Sequence, residues 1–341
     1  MHDPDLPLRS KAGCAPSPIF QDQIGKFVTT QPIKAPLSES RQDLVLGISI
    51  VNYFCHISVA SLLKSLQVFA GDIRIFITIV DNSQDDSDSE FERLVLLANE
   101  ASTGTLDVEV LAAESNLGYA AGNNLAMNRL FERGANLLWV LNPDITVNGT
   151  ALELIQEVAR SKSSLWSTVT VEDTRESHGL GKLNTLTGRA KRSFNRTTFV
   201  NNFSLCYPGG HSILSLAGTW SLLKGFDEDY FLFMEEADLT MRSITLGIDV
   251  GTLKSVTVHH DQGLTTGSTN NMRTKSTTAF LESTKSRIVF FRKFYPARVP
   301  LLMASRIAYM SMVLARGNLR GAKAVWIGIL HGLSKPITRK V

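Results

Sequence analysis

Short apolar runs alternate with helical patterns along the first half of the chain. Four continuous apolar or β-branched runs predict strands at 44–51, 73–80, 108–111 and 137–141. Helix-forming stretches follow them, at about 58–69 and 88–100, then up to about residue 133, and finally at 152–161. This order predicts an α/β fold in which helices cover both faces of a mostly parallel sheet.

The pattern changes after Thr150. A stretch rich in Thr, Ser and Arg at 167–200 predicts mixed or irregular structure, and 225–247 predicts a loop followed by a helix. We therefore expect a flexible leader at 1–42, a main domain at 43–298 and a helical tail at 299–341. Within the main domain, the strand ends favour 43–150 as a nucleotide-binding half and 151–298 as an acceptor half.

Charge divides the chain more sharply than its net value of +3 suggests. Residues 283–341 contain twelve Lys or Arg and no Asp or Glu, which leaves 23 basic and 32 acidic residues, a net charge of −9, in the rest. A basic tail on an acidic body indicates an anionic partner, either nucleic acid or a membrane surface. The apolar run Ile307–Ala315 is too short to span a membrane, so we expect no transmembrane helix.

The three cysteines, Cys14, Cys55 and Cys206, lack the spacing of metal ligands and do not pair evenly. This pattern indicates free thiols in a reducing compartment, the cytoplasm. Motifs of P-loop proteins, serine hydrolases, zinc proteases and CxxC redox proteins are absent from the sequence, which argues against those classes.

Polar side chains follow each of the four predicted strands. They are Asn52, Asp81 with Asn82, Asn116, and Asp144. Turns also favour Asn and Asp, so each residue alone is weak support for a site. Because ligands bind outside the carboxyl ends of parallel strands, the four together predict a binding site at that edge.

Asp144 ends an apolar strand in the tripeptide Asn142-Pro143-Asp144, and its carboxylate is suited to bind Mg²⁺ or Mn²⁺ beside a diphosphate. A second protein ligand must come from elsewhere, and His259 or His260, after the β-rich stretch 250–258, is the candidate. The alternative is that the two histidines simply end a strand.

Acidic residues open the predicted helix after residue 225. Glu235, Glu236 and Asp238 are suited to stabilise the helix N-terminus, where the dipole favours negative charge. One of them in an apolar pocket would instead serve as a general base, and Arg242 would hold the carboxylates through an ion pair. Upstream, Gly118 and Gly122 open another helix, where backbone amides can approach phosphate.

Seven motifs occur in a fixed order along 45–298. They are Ile50-Val-Asn-Tyr53, Val80-Asp-Asn-Ser83, Asn116-Leu-Gly-Tyr-Ala-Ala-Gly-Asn123, Leu141-Asn-Pro-Asp144, Gly225-Phe-Asp-Glu228, Glu235-Glu-Ala-Asp238 and His259. As an ordered set they resemble family 2 glycosyltransferases, which have the GT-A fold, a Rossmann-like nucleotide-diphospho-sugar transferase architecture. The branch they resemble most is that of bacterial rhamnosyltransferases.

This resemblance implies a role for each matching residue. Donor-binding residues would be Asn52, Asp81, Asn116, Gly118, Asn123 and Asn142. Asp144 and His259 would bind the metal. Glu236 would be the base, where the family usually has Asp, so that Asp238 and Glu235 remain rivals. Phe54 departs from the Asn that often follows the first motif.

The activity so implied is inverting, metal-dependent transfer of a hexose, rhamnose by the same resemblance, from a dTDP- or UDP-sugar. The acceptor would be a glycan or a polyprenyl-linked molecule of surface polysaccharide synthesis. We expect the basic tail to lie on the inner face of the cytoplasmic membrane; the alternative is an ordinary solvated helix face. Competing interpretations are a nucleotidyltransferase and a nucleic-acid-binding protein, the latter disfavoured by the lack of a binding motif.

Overall fold

A computed structural model describes residues 43–84, 89–172, 174–193, 200–260, 272–273 and 275–338. The predicted leader at 1–42 and the last three residues of the predicted tail lie outside the described residues. The division into domains stays a prediction.

Thirteen strands and nine α-helices lie within the described residues. The strands are β1 (Leu46–Asn52), β2 (Ile75–Asp81), β3 (Leu106–Ala112), β4 (Leu137–Leu141), β5 (Ile145–Asn148), β6 (Leu165–Glu172), β7 (Arg175–Ser177), β8 (Leu180–Asn184), β9 (Ala190–Ser193), β10 (Val200–Asn201), β11 (Ser204–Pro208), β12 (Ser212–Leu216) and β13 (Val250–His260). The helices are α1 (His56–Ala70), α2 (Ser89–Ala101), α3 (Gly118–Glu132), α4 (Ala151–Arg160), α5 (Ala217–Leu223), α6 (Glu235–Thr245), α7 (Thr277–Phe294), α8 (Val299–Ala315) and α9 (Leu319–Ser334).

The main sheet has nine strands in the order β3-β2-β1-β4-β12-β6-β13-β5, with β7 paired to β6. Strands β1 to β4, β6 and β13 run in one direction, and β12 runs against its neighbours β4 and β6. The predicted α/β fold, a mostly parallel sheet flanked by helices with a helical C-terminal region, is confirmed.

Strand β4 shows why the central strands are apolar throughout. Leu137, Trp139 and Leu141 pack on one face of the sheet with residues of α1 and α4. Leu138 and Val140 pack on the other face with residues of α3 and α5. Burying each such side chain is worth about 1.5–3 kcal/mol, so a strand covered on both faces needs an apolar residue at every position.

Residues 167–200 contain more regular structure than expected. After β6 they contribute to a second, antiparallel sheet in the order β10-β11-β8-β9. Its strands are two to five residues long and rich in Ser, Asn and Lys. Strands so short and polar carry too little period-two signal for their sequence to indicate them.

The three C-terminal helices share a core with the second sheet and with α6. Phe280 and Ile288 of α7 pack with Leu302 of α8 and with Val325 and Ile329 of α9. At about 100° per residue, helical periodicity predicts that Arg306, Arg316 and Arg320 fall within roughly 80° of one another. The structure leaves Arg316 and Arg320 exposed but buries Arg306, which is 8% exposed.

Among the described residues, one helical segment, Pro296–Ala315, is 20 residues long and apolar enough to cross a membrane by length and composition alone. It exceeds the expected run because a 3₁₀ turn (Pro296–Arg298) continues directly into α8. Core helices of soluble proteins meet the same criterion, but only 17% of this segment's apolar window is buried.

Candidate active site at the carboxyl edge of the sheet

Strand direction gathers the predicted site residues at one edge. Parallel pairing aligns Asn52 of β1 with Asp81 of β2, and β4 ends on the same side just before Asp144. Strands β6 and β13 run in the same direction and end there at Glu172 and His260. Because β12 runs antiparallel to these strands, the loop that precedes it, residues 209–211, lies at the same edge.

A hydrogen-bonded network closes the ends of β1 and β2. The fully buried Asn52 donates from Nδ2 to Asp81 Oδ1 at 2.9 Å, and to Ser83 Oγ and Glu90 Oε1 at 3.1 Å each. Glu90 Oε2 lies 2.7 Å from His56 Nδ1. Burial alone raises the pKa of Glu90, but bonds from Asn52 and His56 lower it overall. The hydrogen bond from Asn52 thus fixes the position of the Asp81 carboxylate.

The start of α3 holds three more of the predicted donor-binding residues. Asn116 Oδ1 accepts the Gly118 N–H at 3.0 Å, a local turn that opens the helix. Asn123 is buried, accepts from Ser49 Oγ at 2.7 Å and donates to the Tyr119 carbonyl at 2.9 Å. The Asn123 side chain therefore anchors α3 to β1.

The segment Gly225–Met234, which we call the cover loop, packs on this helix start. The Tyr119 N–H donates to the Phe231 carbonyl at 2.8 Å, so the first two amides of α3 are already bonded within the protein. Asn124 holds the same loop by accepting the Phe226 N–H and donating to its carbonyl, at 2.9 Å each. Gly118 has φ +74, and a Cβ there would lie 2.3 Å from the Phe231 oxygen.

Asp144 faces a histidine across the edge. Its buried Oδ1 has no hydrogen-bond partner among the described residues and lies 3.5 Å from His260 Nε2. His260 Nδ1 lies 2.8 Å from Glu172 Oε1, and Glu172 also pairs with Arg192. Burial would lower the pKa of His260, but the carboxylates of Asp144 and Glu172 outweigh it and raise the pKa to about 9.

His259, the histidine that the sequence favoured as metal ligand, contacts a different residue. Its Nε2 lies 2.9 Å from Asn148 Nδ2. Successive side chains of a strand point to opposite faces, so only one of two adjacent histidines can face Asp144. That histidine is His260.

A divalent cation would have few protein ligands at Asp144. The described part of the chain contains no group of three or more His, Cys, Asp or Glu side chains that could hold a metal. The carboxylate of Asp144 suits Mg²⁺ or Mn²⁺. His260 would be a second ligand only in its neutral form, because a histidine must lose its proton to bind a metal. The remaining ligands would have to come from a bound molecule.

His211, from the loop before β12, connects this corner to the rest of the edge. Its ring stacks on His260 with centroids 4.8 Å apart, and its Nε2 lies 2.8 Å from Thr170 Oγ1. Burial and the neighbouring His260 lower the pKa of His211 to about 3. The His211 carbonyl accepts the N–H of Asn142, whose side chain is partly exposed.

Glu235 and Glu236 begin α6 beside Gly210, the residue before His211. A Cβ on Gly210 would lie 3.9 Å from the Glu236 carboxyl carbon and 3.3 Å from the Tyr119 hydroxyl, so the missing side chain leaves room there. Each glutamate has a buried Oε2 without a hydrogen-bond partner among the described residues. Burial raises the pKa of Glu236 to about 7, and burial with the neighbouring Glu236 raises that of Glu235.

Asp238 has a different environment on the same helix. It is 1% exposed, accepts from Arg242 Nε at 2.5 Å and from the Tyr230 hydroxyl at 3.0 Å, and lies 3.5 Å from Lys293 Nζ. Lys293 also pairs with Asp227 at 2.5 Å. These contacts make Asp238 part of a core ion-pair network, and the predicted Arg242 ion pair forms with this carboxylate.

Sequence patterns did not indicate several residues of the edge. They are His211, Glu172, Asn124 and Arg287. Only His211 had a visible signal, because Pro208-Gly-Gly-His211 is a turn just before an apolar run. Glu172 and Arg287 lie within a strand and a helix, where one charged residue has no special pattern.

Comparison with known proteins finds similarity only among solved structures. No protein-family model matches the chain, and no curated protein matches it. The mannosyltransferase PcManGT from Pyrobaculum calidifontis, in complex with GDP-Man and Mn²⁺, is 11% identical with a TM-score of 0.49; the match covers 93% of this chain and 94% of PcManGT.

Two further similar structures are much longer proteins. S. aureus TarS is 14% identical with a TM-score of 0.46 over 72% of this chain, which spans 39% of TarS. The bifunctional glycosyltransferase WbbM in its apo form is 12% identical with a TM-score of 0.35 over 62% of this chain, which spans 39% of WbbM. Identities of 11–14% and TM-scores below 0.5 assign no role to any residue of this chain.

Proposed function

We propose that this protein is an inverting, metal-dependent glycosyltransferase that moves a sugar from a nucleotide-sugar donor to an acceptor hydroxyl. One observation carries the proposal. A buried carboxylate that faces His260, Asp144, and a partly buried glutamate with a pKa of about 7, Glu236, lie on one sheet edge, joined through His211 and His260. The first suits a metal-bound diphosphate and the second suits a general base.

On the donor side, Asp81 would contact the base and ribose, held in place by Asn52. Asn116 and Asn142 would line the sugar-diphosphate pocket. Asp144 and His260 would hold Mg²⁺ or Mn²⁺, which neutralises charge on the leaving diphosphate when bound. The family resemblance favours a UDP- or dTDP-sugar and rhamnose.

On the acceptor side, Glu236 takes the proton of a hydroxyl. A lone pair of the deprotonated acceptor oxygen attacks the anomeric carbon. The bond from that carbon to the diphosphate oxygen breaks at the same time, so the configuration at the anomeric carbon inverts. A pKa near 7 leaves Glu236 largely ionised just above neutral pH, where a base must be unprotonated. Burial is what raises this pKa; Arg287 and a hydrogen bond with the neighbouring Glu235 both lower it.

The acceptor would be a glycan or a polyprenyl-linked molecule of surface polysaccharide synthesis, met at the cytoplasmic face of the membrane. Helices α8 and α9 support this location. They expose large apolar side chains that include Leu301, Ile307, Leu314, Leu319 and Trp326. No Asp or Glu occurs from residue 283 onward, so the surroundings of this face favour anionic lipid.

A donor screen with Mg²⁺ or Mn²⁺ tests the proposal. We expect one of the UDP-, GDP- or dTDP-sugars to raise the Tm, and that donor to yield nucleoside diphosphate with a suitable acceptor. Pyrophosphate released from a nucleoside triphosphate instead would show a nucleotidyltransferase.

Two variants test the roles of the carboxylates. Glu236→Gln should reduce transfer by a factor of about 10²–10⁴ and keep donor binding. Asp144→Asn should abolish the part of donor binding that depends on metal. The matched control is Glu132→Gln, a side chain 66% exposed on α3. Wild-type turnover of Glu236→Gln would show that the base is another residue.

A further inference from the structure

Three cationic side chains lie near one another, and one of them, Arg287, acts on Glu236. Lys275 lies before α7 with its Nζ 5.3 Å from the Phe280 ring centroid, and Arg306 of α8 lies over Tyr309 at 5.2 Å. The two rings are neighbours, with centroids 6.1 Å apart. Arg287 of α7 completes this cation cluster, since its charge acts on both other cations.

The cation cluster contains no close ion pair, and Glu236 acts on Arg287 without a salt bridge between them. None of its three members forms an ion pair with a carboxylate within the described ranges. Arg306 is 8% exposed, bonds Ser305 Oγ at 3.2 Å, and has a buried Nε without a partner among described residues. Arg287 donates to the carbonyls of Gly188 and Ser283.

The mutual repulsion is visible in the pKa values. Burial, then the charges of Arg287 and Arg306, lower the pKa of Lys275 to about 8. Burial, then Arg287, lower that of Arg306 to about 10. All three remain cationic at neutral pH. Neighbouring cations, one of them buried with an unpartnered Nε, raise the energy of the folded state, and that cost falls when an anion binds among them.

The position of the cluster points to the acceptor. Contacts run from Asp144 through His260 and His211 to Gly210 and Glu236. Beyond Glu236 the next charge is Arg287, which acts on that carboxylate. The base therefore separates the donor carboxylate from the cations along this path.

We propose that Lys275, Arg287 and Arg306 form a binding site for the diphosphate of a lipid-linked acceptor, whose sugar hydroxyl then meets Glu236. Arg and Lys are the side chains suited to phosphate, by bidentate geometry and by point charge. This inference rests on the proposed function for the role of the bound molecule. The anion site itself stands on the unpaired cations.

Helix α8 favours a lipid as the carrier of that diphosphate. It contributes Arg306 on its buried side, and it exposes Leu301 by 48%, Ile307 by 46% and Leu314 by 50% on its outer side. One helix thus contacts both an anion site and a surface suited to acyl or prenyl chains. A lipid diphosphate would use both at once.

Isothermal titration of the full chain without divalent cations tests the site. Farnesyl diphosphate should bind, farnesol should not, and inorganic pyrophosphate should bind more weakly than farnesyl diphosphate. Arg306→Gln and Lys275→Gln should each weaken farnesyl diphosphate binding by about tenfold or more. Arg306→Lys should weaken it less, because it keeps the charge. The matched control is Arg320→Gln, an exposed cation of α9 that should change nothing.

The variant Arg306→Met provides a folded protein without this cation. Its Tm should be higher than that of the wild type, because the change removes an unpaired buried charge. Farnesyl diphosphate should then stabilise the wild type but not this variant. Unchanged affinity in both Gln variants, or an equal loss in Arg320→Gln, would overturn the anion site. Equal affinity for pyrophosphate and farnesyl diphosphate would contradict the proposal that a lipid carries the bound diphosphate.

A separate measurement of nucleotide binding distinguishes a failure of the anion site from a failure of the proposed function. UDP and dTDP binding with Mn²⁺ should be the same in wild type and in Arg306→Gln. A wild type that binds neither nucleotide would count against the proposed function, while the titration with farnesyl diphosphate is interpreted without any donor. Loss of nucleotide binding in Arg306→Gln would assign the cations to the donor and overturn the inference.

Discussion

At the scale of single residues, helix α6 shows how environment separates carboxylates that look alike in sequence. Glu236 and Asp238 are two positions apart, yet Asp238 accepts hydrogen bonds from Arg242 and Tyr230 while Glu236 keeps an unpartnered oxygen. A paired carboxylate is held ionised and immobile, whereas an unpartnered one in an apolar site is available for proton transfer. The side chain suited to be the base is therefore Glu236.

Asp238→Asn tests the structural role. The change leaves Arg242 and Lys293 buried without their shared carboxylate, so we expect the free energy of unfolding to fall by about 3–5 kcal/mol. Urea denaturation followed by circular dichroism measures it. Glu236→Gln is the comparison and should not be destabilised, because it removes no ion pair. A fully stable but inactive Asp238→Asn protein would instead assign catalysis to Asp238.

The pH dependence of the Tm of Glu235→Gln tests the raised pKa values of Glu235 and Glu236. Burial raises the pKa of both glutamates above the ordinary value of 4.5, so the folded state binds protons more tightly than the unfolded state. Their contribution to stability is complete below pH 4.5 and is lost as pH rises through the folded pKa, about 7 for Glu236. The Tm gain of Glu235→Gln over wild type should therefore be larger at pH 8 than at pH 5. Glu132→Gln should show no such trend; a pH-independent gain would contradict the raised pKa values.

At the scale of elements, the start of α3 and the cover loop form one unit. Tyr119 and Asn124 bind the backbone of the loop, and the loop leads directly into Glu235 and Glu236 through Phe233 and Met234, both with positive φ. Non-glycine residues in that conformation store about 1–3 kcal/mol of strain each. The glutamates are therefore positioned by a tertiary contact rather than by their own helix.

Gly118→Ala tests this unit. The backbone has φ +74, and the new Cβ would lie 2.3 Å from the Phe231 oxygen, so the loop must move. We expect a loss of about 1–3 kcal/mol from backbone strain alone, with a lower transfer rate. Gly104→Ala is the control, because nothing lies within 4 Å of its Cβ. Equal stability of the two variants would show that the contact is unimportant.

At the scale of the whole molecule, the C-terminal helices belong to the folded body and also expose several large apolar side chains. Val325 and Ile329 of α9 pack against Phe280 and Ile288 of α7. Deleting the tail would therefore expose a core, and a truncated protein would not isolate membrane binding. Point changes on the outer surface are the better test.

The double variant Ile307→Ser and Leu314→Ser tests membrane binding, since both side chains are about half exposed on α8. Fewer apolar contacts should reduce co-sedimentation with phosphatidylglycerol vesicles, while the Tm stays near that of wild type. Leu96→Ser, at a position 62% exposed on α2, is the matched control. Equal recovery of wild type with and without vesicles would argue that α8 is an ordinary solvated surface.

The sequence by itself determined the order of the main elements, because residues buried on both sheet faces must be apolar throughout and helices must alternate with them. It also determined which polar residues lie at or just after strand ends, including Asn52 and Asp81, while Asp144 lies in the turn between β4 and β5. The short polar strands of the second sheet were not predictable, since their pairing depends on partners distant in the chain.

Only the tertiary structure decided which side chains share an environment. Alternation along β13 put His260 beside Asp144, and packing of α7 and α8 buried Arg306 and brought Arg287 near Glu236. The physical reason is the same in each case. A pattern along the chain reports how apolar each position is, whereas the charge, pKa and role of a polar group depend on neighbours brought close by folding.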